Sequence, residues 1–299
     1  NNPVALWLGN SQLHAINEFQ EGDETASVKL FRTLKKIGLH KITISTPNAN
    51  LQEHYLIFAN SLHKFPIKVL ILPVVFDDMR EDMIRLSYQE IFNDKKSVEK
   101  IEKTFFGKNL INKYNEKKYT TNNELKVKNY TPQGKWENLL NKQLVKIWPS
   151  WSERENLRAS LFHKLYLLRN SIFNINSSTI RKMIRGSYVN NQNAFKEILN
   201  LASKNEIEVL VYIAPIRNDV KIPYDVQEYD NFKEETKNIT NKIGGHFVSF
   251  ENIVPAEFWG NTNSIDIIQK KEIDFMHFKA EGHSLLANSL LIKIRKILE

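Results

Sequence analysis

The chain has 299 residues, 41% of them hydrophobic and 25% charged, ordinary values for a folded globular protein and far from disorder. It contains no cysteine, which excludes disulfide scaffolds, thiolate nucleophiles and zinc sites built on Cys. The formal net charge of +8 (42 basic minus 34 acidic) suits an anionic partner. Much of that excess lies in an Asn/Lys-rich stretch from Asn93 to Lys128, which reads as a solvated face. With no RNP-type aromatic cluster, finger spacing or basic heptad, nucleic acid is not the expected partner. The longest apolar run, Val69 to Phe76, is too short to span a bilayer, so no transmembrane helix is expected. The first residue is Asn1 rather than Met, consistent with a processed or trimmed N-terminus and leaving open a lost signal or anchor.

The first third alternates strand and helix patterns. Val4 to Leu8 is a short apolar run ending at Gly9, a strand feeding a turn. Glu24 to Ile37 carries Val28, Leu30, Phe31, Leu34 and Ile37 at helical spacing, with Gly38 as a stop. Lys41 to Ser45 reads as a second strand, Gln52 to Phe65 as a helix and the all-apolar Val69 to Phe76 as a strand covered on both faces. Strands separated by single helices imply right-handed crossovers and a parallel sheet. After Asp82 the strand signal disappears. Helical patterns occupy Ile84 to Phe92, Val98 to Tyr114, Trp136 to Trp148 and Glu153 to Phe173, with a long loop from Lys113 to Tyr130. The α/β rhythm returns with a helix from Ala194 to Lys204, a strand from Glu208 to Ala214, a helix from Tyr229 to Lys242, a strand from His246 to Phe250 and a last helix from Glu281 to Leu298. The expected fold is therefore an α/β three-layer sandwich with a mostly parallel sheet of five strands, built from residues 1–82 and 194–299. Residues 83–193 would form a mainly helical insertion or cap beside the carboxyl edge of the sheet.

Two short segments carry candidate chemistry. Ser11 follows the first strand directly, at the edge where open α/β sheets bind ligands. Taken alone, it reads more simply as a helix N-cap. Asp274-Phe275-Met276-His277 lies before the last helix. An Asp and a His three apart on a loop can supply both the base that a serine nucleophile needs and the acid that holds its tautomer. Alternatively they are a cap and a packed histidine. His283 competes as a base, but its place inside the last helix marks it as structural.

In this order, Gly9-Asn10-Ser11 after the first strand and Asp274-x-x-His277 before the last helix resemble the SGNH (GDSL-like) hydrolase superfamily, which has a flavodoxin-like fold. The resemblance covers residues 1–82 and 194–299. It implies Ser11 as nucleophile, His277 as base and Asp274 as its orienting acid, with no cofactor and no metal. That superfamily usually has an oxyanion Gly after the second strand and an Asn in a GxND block after the third. Here Ser45-Thr46-Pro47-Asn48-Ala49-Asn50 and Val74-Val75-Phe76-Asp77-Asp78 stand there, so the Ser11 amide with Asn48 or Asn50 would have to serve. This pattern looks more like the divergent branch that includes the teichoic-acid D-alanine transfer and alginate O-acetylation proteins. By that likeness the chain would be extracytoplasmic, would move O-acyl groups of a cell-envelope glycopolymer and would work with an acyl donor, a glycan acceptor and a membrane-bound O-acyltransferase. Two rivals stand beside it: a plain carbohydrate or lipid esterase, and a non-catalytic glycan-binding or scaffolding protein.

Other residues at the presumed active edge are Asp78, Arg80 and Arg217, read either as a substrate pocket or as surface ion pairs. Trp259, close before the Asp274 segment, is a candidate wall of the site. Trp136, Trp148, Trp151 and Tyr166 in the insertion could stack on sugars, but their helical spacing favours core. No metal, nucleotide or dinucleotide motif occurs.

Overall fold

The computed structural model describes residues 2–116, 139–140, 143–144, 146–148, 153–264 and 270–299. Residues Asn1–Phe106, Ser177–Asn263 and Lys271–Glu299 form one compact unit, and Gly107–Asn176 with Ser264–Lys270 form a second.

The first unit is built on five parallel strands: β1 (Val4–Gly9), β2 (His40–Ser45), β3 (Ile67–Val74), β4 (Glu208–Ile213) and β5 (His246–Ser249). Their order is β2-β1-β3-β4-β5, the flavodoxin-like doubly wound arrangement. The three-layer α/β expectation is met, and each strand lies within one or two residues of its expected ends, because apolar runs of strand length mark buried parallel strands. Every residue of β1 is buried, as expected of an inner strand. The order in which strands are added reverses between β1 and β3, so the crevice beyond their carboxyl ends is where this fold binds ligands.

Helix α1 (Ala26–Lys36) starts at Thr25, whose hydroxyl accepts from the Val28 amide. Its buried Ala26, Leu30 and Leu34, spaced four apart, face the terminal helix Ala280–Leu298. Helix α2 (Leu51–Ser61) is buried on nearly all sides and packs against the helices Lys95–Ile101 and Arg185–Lys204.

The division between units falls at 106/107 and 176/177 rather than at the expected 82/83 and 193/194. Residues 83–106 stay with the sheet because α2 holds them. The Tyr55 hydroxyl bonds Thr104 at 3.1 Å, and its ring meets Phe106 edge-on at 5.5 Å. Residues 177–193 stay because the helix expected from Ala194 begins at Arg185. Its polar first half buries Asn191, whose amide donates to Met79 O and Glu81 O and accepts from Leu51 N.

In the second unit the helix Arg154–Ile172 leaves Leu161, Phe162 and Leu165 exposed, while Leu110 and Ile111 are buried. Trp148 and Tyr166 are exposed, against their expected core placement, and the Arg169 guanidinium lies over the Tyr166 ring at 4.9 Å. Trp136, Trp151 and most of the expected loop from Lys113 to Tyr130 lie outside the described residues. Among the described residues no helix is long and apolar enough to cross a membrane.

A hairpin replaces the loop expected around the second motif. Strand β6 (Trp259–Asn263) pairs antiparallel with β7 (Lys271–Phe278). Asp274 and His277 sit on β7, next to a register irregularity between Trp259 and Asn261.

Candidate active site

The site begins where β1 stops. A Cβ on Gly9 would lie 2.2 Å from Leu13 Cδ1, so any larger residue there would have to push the buried Leu13 aside. Asn10 caps the short 3-10 turn Ser11–Leu13, its Oδ1 accepting from the Gln12 amide at 3.0 Å. The cap is therefore Asn10 and not Ser11. That leaves the Ser11 hydroxyl for another partner, and His277 Nε2 lies 2.9 Å from Ser11 Oγ.

Asp274 Oδ1 accepts from the amides of Met276 and His277, each at 2.9 Å. This local bend brings two residues of opposite strand parity to one side of β7. Asp274 Oδ2 then lies 3.1 Å from His277 Nδ1. A carboxylate only accepts, so Nδ1 carries the proton and Nε2 is left to accept from the serine hydroxyl. Burial is the largest influence on the Asp274 carboxyl and pushes its pKa up. The His277 hydrogen bond and charge, with the two amides, outweigh burial and hold it below the usual carboxylate value.

Several supporting residues escaped sequence reasoning. Buried Gln12 donates its amide to Pro215 O and Met276 O, both at 2.8 Å, pinning the serine turn to the ends of β4 and β7. Buried Asn17 donates to Asp274 Oδ2 at 2.9 Å. Neither has a signal of its own, because their partners are 203 to 264 residues away along the chain. His283 is structural, as expected. Its Nδ1 accepts from Ala26 N at the start of α1, and its Nε2 donates to Ala15 O. Burial lowers its pKa to about 4, which keeps the ring neutral.

The remaining candidates divide. Asp78 is brought to the site: buried, it accepts from Asn10 Nδ2 at 2.7 Å, next to the serine. Burial raises its pKa well above the usual value, against the lowering effect of the Asn10 bond. Asn50 is not an oxyanion donor. Its Oδ1 caps α2 at Glu53 N, and its Nδ2 donates to Met83 O. Asn48 is exposed at a φ of 52° in the turn after β2, and no hydrogen bond joins it to Ser11 or His277. Arg80 is a brace: Nε donates to Lys182 O, and Nη1 reaches Asp77 at 3.4 Å. Arg217 is a strap. Its amide donates to Phe275 O, its Nη1 donates to Gly260 O, and the rest of its fork meets Asp219. Trp259 is core rather than wall, 3% exposed, with its indole N–H on Val254 O and Phe278 against its ring. Among the described residues no group of three or more His, Asp or Glu side chains is placed to hold a metal ion.

No family model and no curated protein matches this chain. Solved structures do. LAE5, an alpha/beta hydrolase from the metagenome of Lake Arreo, Spain, aligns over 97% of this chain and 94% of its own at 8% identity and a TM-score of 0.46. A candidate acylhydrolase from Bacteroides fragilis covers 99% and 88% at 11% identity and a TM-score of 0.43. A variant of Axe2, an acetyl-xylooligosaccharide esterase from a Geobacillus, covers 97% and 93% at 8% identity and a TM-score of 0.42. At these values the likeness says nothing about this chain's chemistry.

Proposed function

We propose that this protein is an SGNH-like serine enzyme that cleaves O-acyl esters through an acyl–Ser11 intermediate. The observation that carries this is the 2.9 Å contact between His277 Nε2 and Ser11 Oγ, with Asp274 behind Nδ1 at 3.1 Å. His277 takes the hydroxyl proton as Ser11 attacks the acyl carbonyl, then returns it to the leaving alkoxide. Asp274 keeps the ring in the tautomer this needs and stabilises the imidazolium. The Ser11 amide receives the developing oxyanion, with the Asn48 side chain as a second donor. Asn50 is excluded by its two fixed bonds.

In the direction we propose, the acyl group passes to a hydroxyl of an extracytoplasmic envelope glycopolymer, with a membrane-bound O-acyltransferase as the source of acyl donor. This rests on the sequence resemblance, and the +8 charge suits such an anionic polymer. Water and a glycan hydroxyl compete for the same ester, and a held acceptor wins by proximity.

A serine-directed fluorophosphonate, followed by mapping of the modified residue, tests the nucleophile. Label on Ser11 that is lost in His277→Ala supports the reading. Label elsewhere, or full ester turnover in Ser11→Ala, overturns it. Supplying an activated acetyl ester with and without envelope glycans then separates transfer from release to water.

A further inference from the structure

The relay does not end at Asp274. Asn17 is buried in the loop that carries Ser11, and its side-chain nitrogen faces two acceptors, Asp274 Oδ2 at 2.9 Å and Asn261 O at 3.2 Å. Neither can donate when Asp274 is ionised, so the amide orientation is fixed by its partners. The Asn17 backbone amide also donates to Phe278 O at 3.0 Å. One residue thus ties the serine loop to both strands of the β6–β7 hairpin. Its seat is tight: a Cβ on Gly260 would lie 2.0 Å from Asn17 Oδ1, so any larger residue there on β6 would displace the amide.

Asp274 has two oxygens and four donors. Oδ1 takes two backbone amides, while Oδ2 is shared between His277 Nδ1 and Asn17 Nδ2. The sharing has two effects. It aims Oδ2 at the ring, and it draws off part of the charge that would otherwise bear on the imidazolium. A base held too tightly by its carboxylate stays protonated and cannot accept from serine. Of the other titratable groups near this corner, Lys279 pairs with Glu18 at 2.8 Å and Arg217 with Asp219 at 2.9 Å, Asp78 accepts from Asn10 Nδ2 at 2.7 Å, and His283 is turned to Ala15 O and Ala26 N.

We infer that Asn17 is a positioning residue of the relay, acting through Asp274 to set both the aim and the basicity of His277. This rests on the serine-ester reading above. The test uses Asn17→Leu, Asn17→Asp and Ser11→Ala on p-nitrophenyl acetate, across the pH range in which histidine titrates. Losing a hydrogen bond to a charged group should lower kcat/KM by about tenfold or more in both Asn17 variants. In addition, the acid limb of the pH–rate profile should move to higher pH, further in Asn17→Asp, and the low-field Nδ1 proton resonance of His277 should move further downfield. A merely structural role would lower the rate and leave limb and resonance in place, and that result overturns the inference. If Asn17→Leu fails to fold, the isosteric Asn17→Asp carries the test. If Ser11→Ala is as active as wild type, the ester reading falls, and the resonance still decides the role of Asn17.

Discussion

Two polar clusters occupy the carboxyl edge of the sheet, and they differ in how their hydrogen bonds end. Around Asp77 three donors converge: Arg181 Nη1 at 2.5 Å, Tyr224 Oη at 2.9 Å and Arg80 Nη1 at 3.4 Å. Two guanidinium groups and a phenol hydroxyl all point into one carboxylate, so this cluster braces the chain and holds no base beside a nucleophile. Around Asp274 four donors also converge, but one of them is an imidazole whose second nitrogen meets a hydroxyl. Position at the sheet edge is common to both. Only the second ends in a group that can give up a proton and attack.

The largest expected effects set the two clusters apart. Ser11→Ala and His277→Ala should each remove turnover of an ester substrate, and Asp274→Asn should cost about 10⁴-fold in kcat by presenting the wrong tautomer. Asp77→Ala should leave kcat near its wild-type value. It leaves the buried Tyr224 hydroxyl only the weak acceptor Met276 Sδ at 3.8 Å and removes the carboxylate partner of Arg181, so it should cost about 1–3 kcal/mol of stability, read from a urea unfolding curve. An Asp77→Ala protein that folds normally and has lost its activity would erase the distinction.

Acid should act on the two sides of the site in different windows. His283 has a folded pKa of about 4 against an ordinary value of 6.5, so folding favours its neutral ring. The stability it contributes is whole above about pH 6.5 and drains away as pH falls towards about 4, at most about 3 kcal/mol for this buried group. Asp274 is also depressed by folding, but from the lower carboxylate value of 3.8, so its share is lost only below that. Unfolding midpoints measured from neutral to acid pH should therefore drop first through His283 and through His54, whose pKa burial lowers to about 3. His283→Gln should start lower, with two backbone groups disturbed, and show a flatter slope between about pH 6.5 and 4. An unchanged slope would refute the assignment.

What could be read from the sequence follows the range of the interactions. The strands were legible because burial on two faces writes an apolar run into consecutive residues, as in Val69 to Phe76. Ser11 and the Asp274–His277 pair were legible because each motif is local. Gln12 and Asn17 were not, since their meaning lies in acceptors such as Met276 O and Asp274 that only folding brings near. The hairpin was missed because Trp259-Gly-Asn-Thr-Asn263 has few strand-forming residues, and because β7 opens with two polar residues and breaks its alternation at Phe275-Met276, which left it read as a motif-bearing loop. The first half of the helix Arg185–Lys204 was missed because Asn191 is buried by hydrogen bonds rather than by apolar contact.

The smallest expected effect is at Asp78, which touches the serine turn without entering the relay. Burial raises its pKa, with Asp77 and Glu81 adding to the rise and Asn10 and Arg85 opposing it. The protonated carboxyl is therefore the form the fold prefers. The unfolded chain ionises as pH rises past the ordinary 3.8 while the folded chain holds its proton, so this group removes stability as pH climbs towards its folded value. Asp78→Asn keeps an oxygen for Asn10 Nδ2 and carries no charge at any pH. It should melt above wild type at neutral pH, converge with it near pH 4, and keep its ester activity, because the cap on the serine turn is unchanged. A variant less stable than wild type at neutral pH would mean that the ionised carboxylate is the form holding Asn10. Lost activity with a normal melt would place Asp78 among the reacting groups and extend the active cluster across to β3.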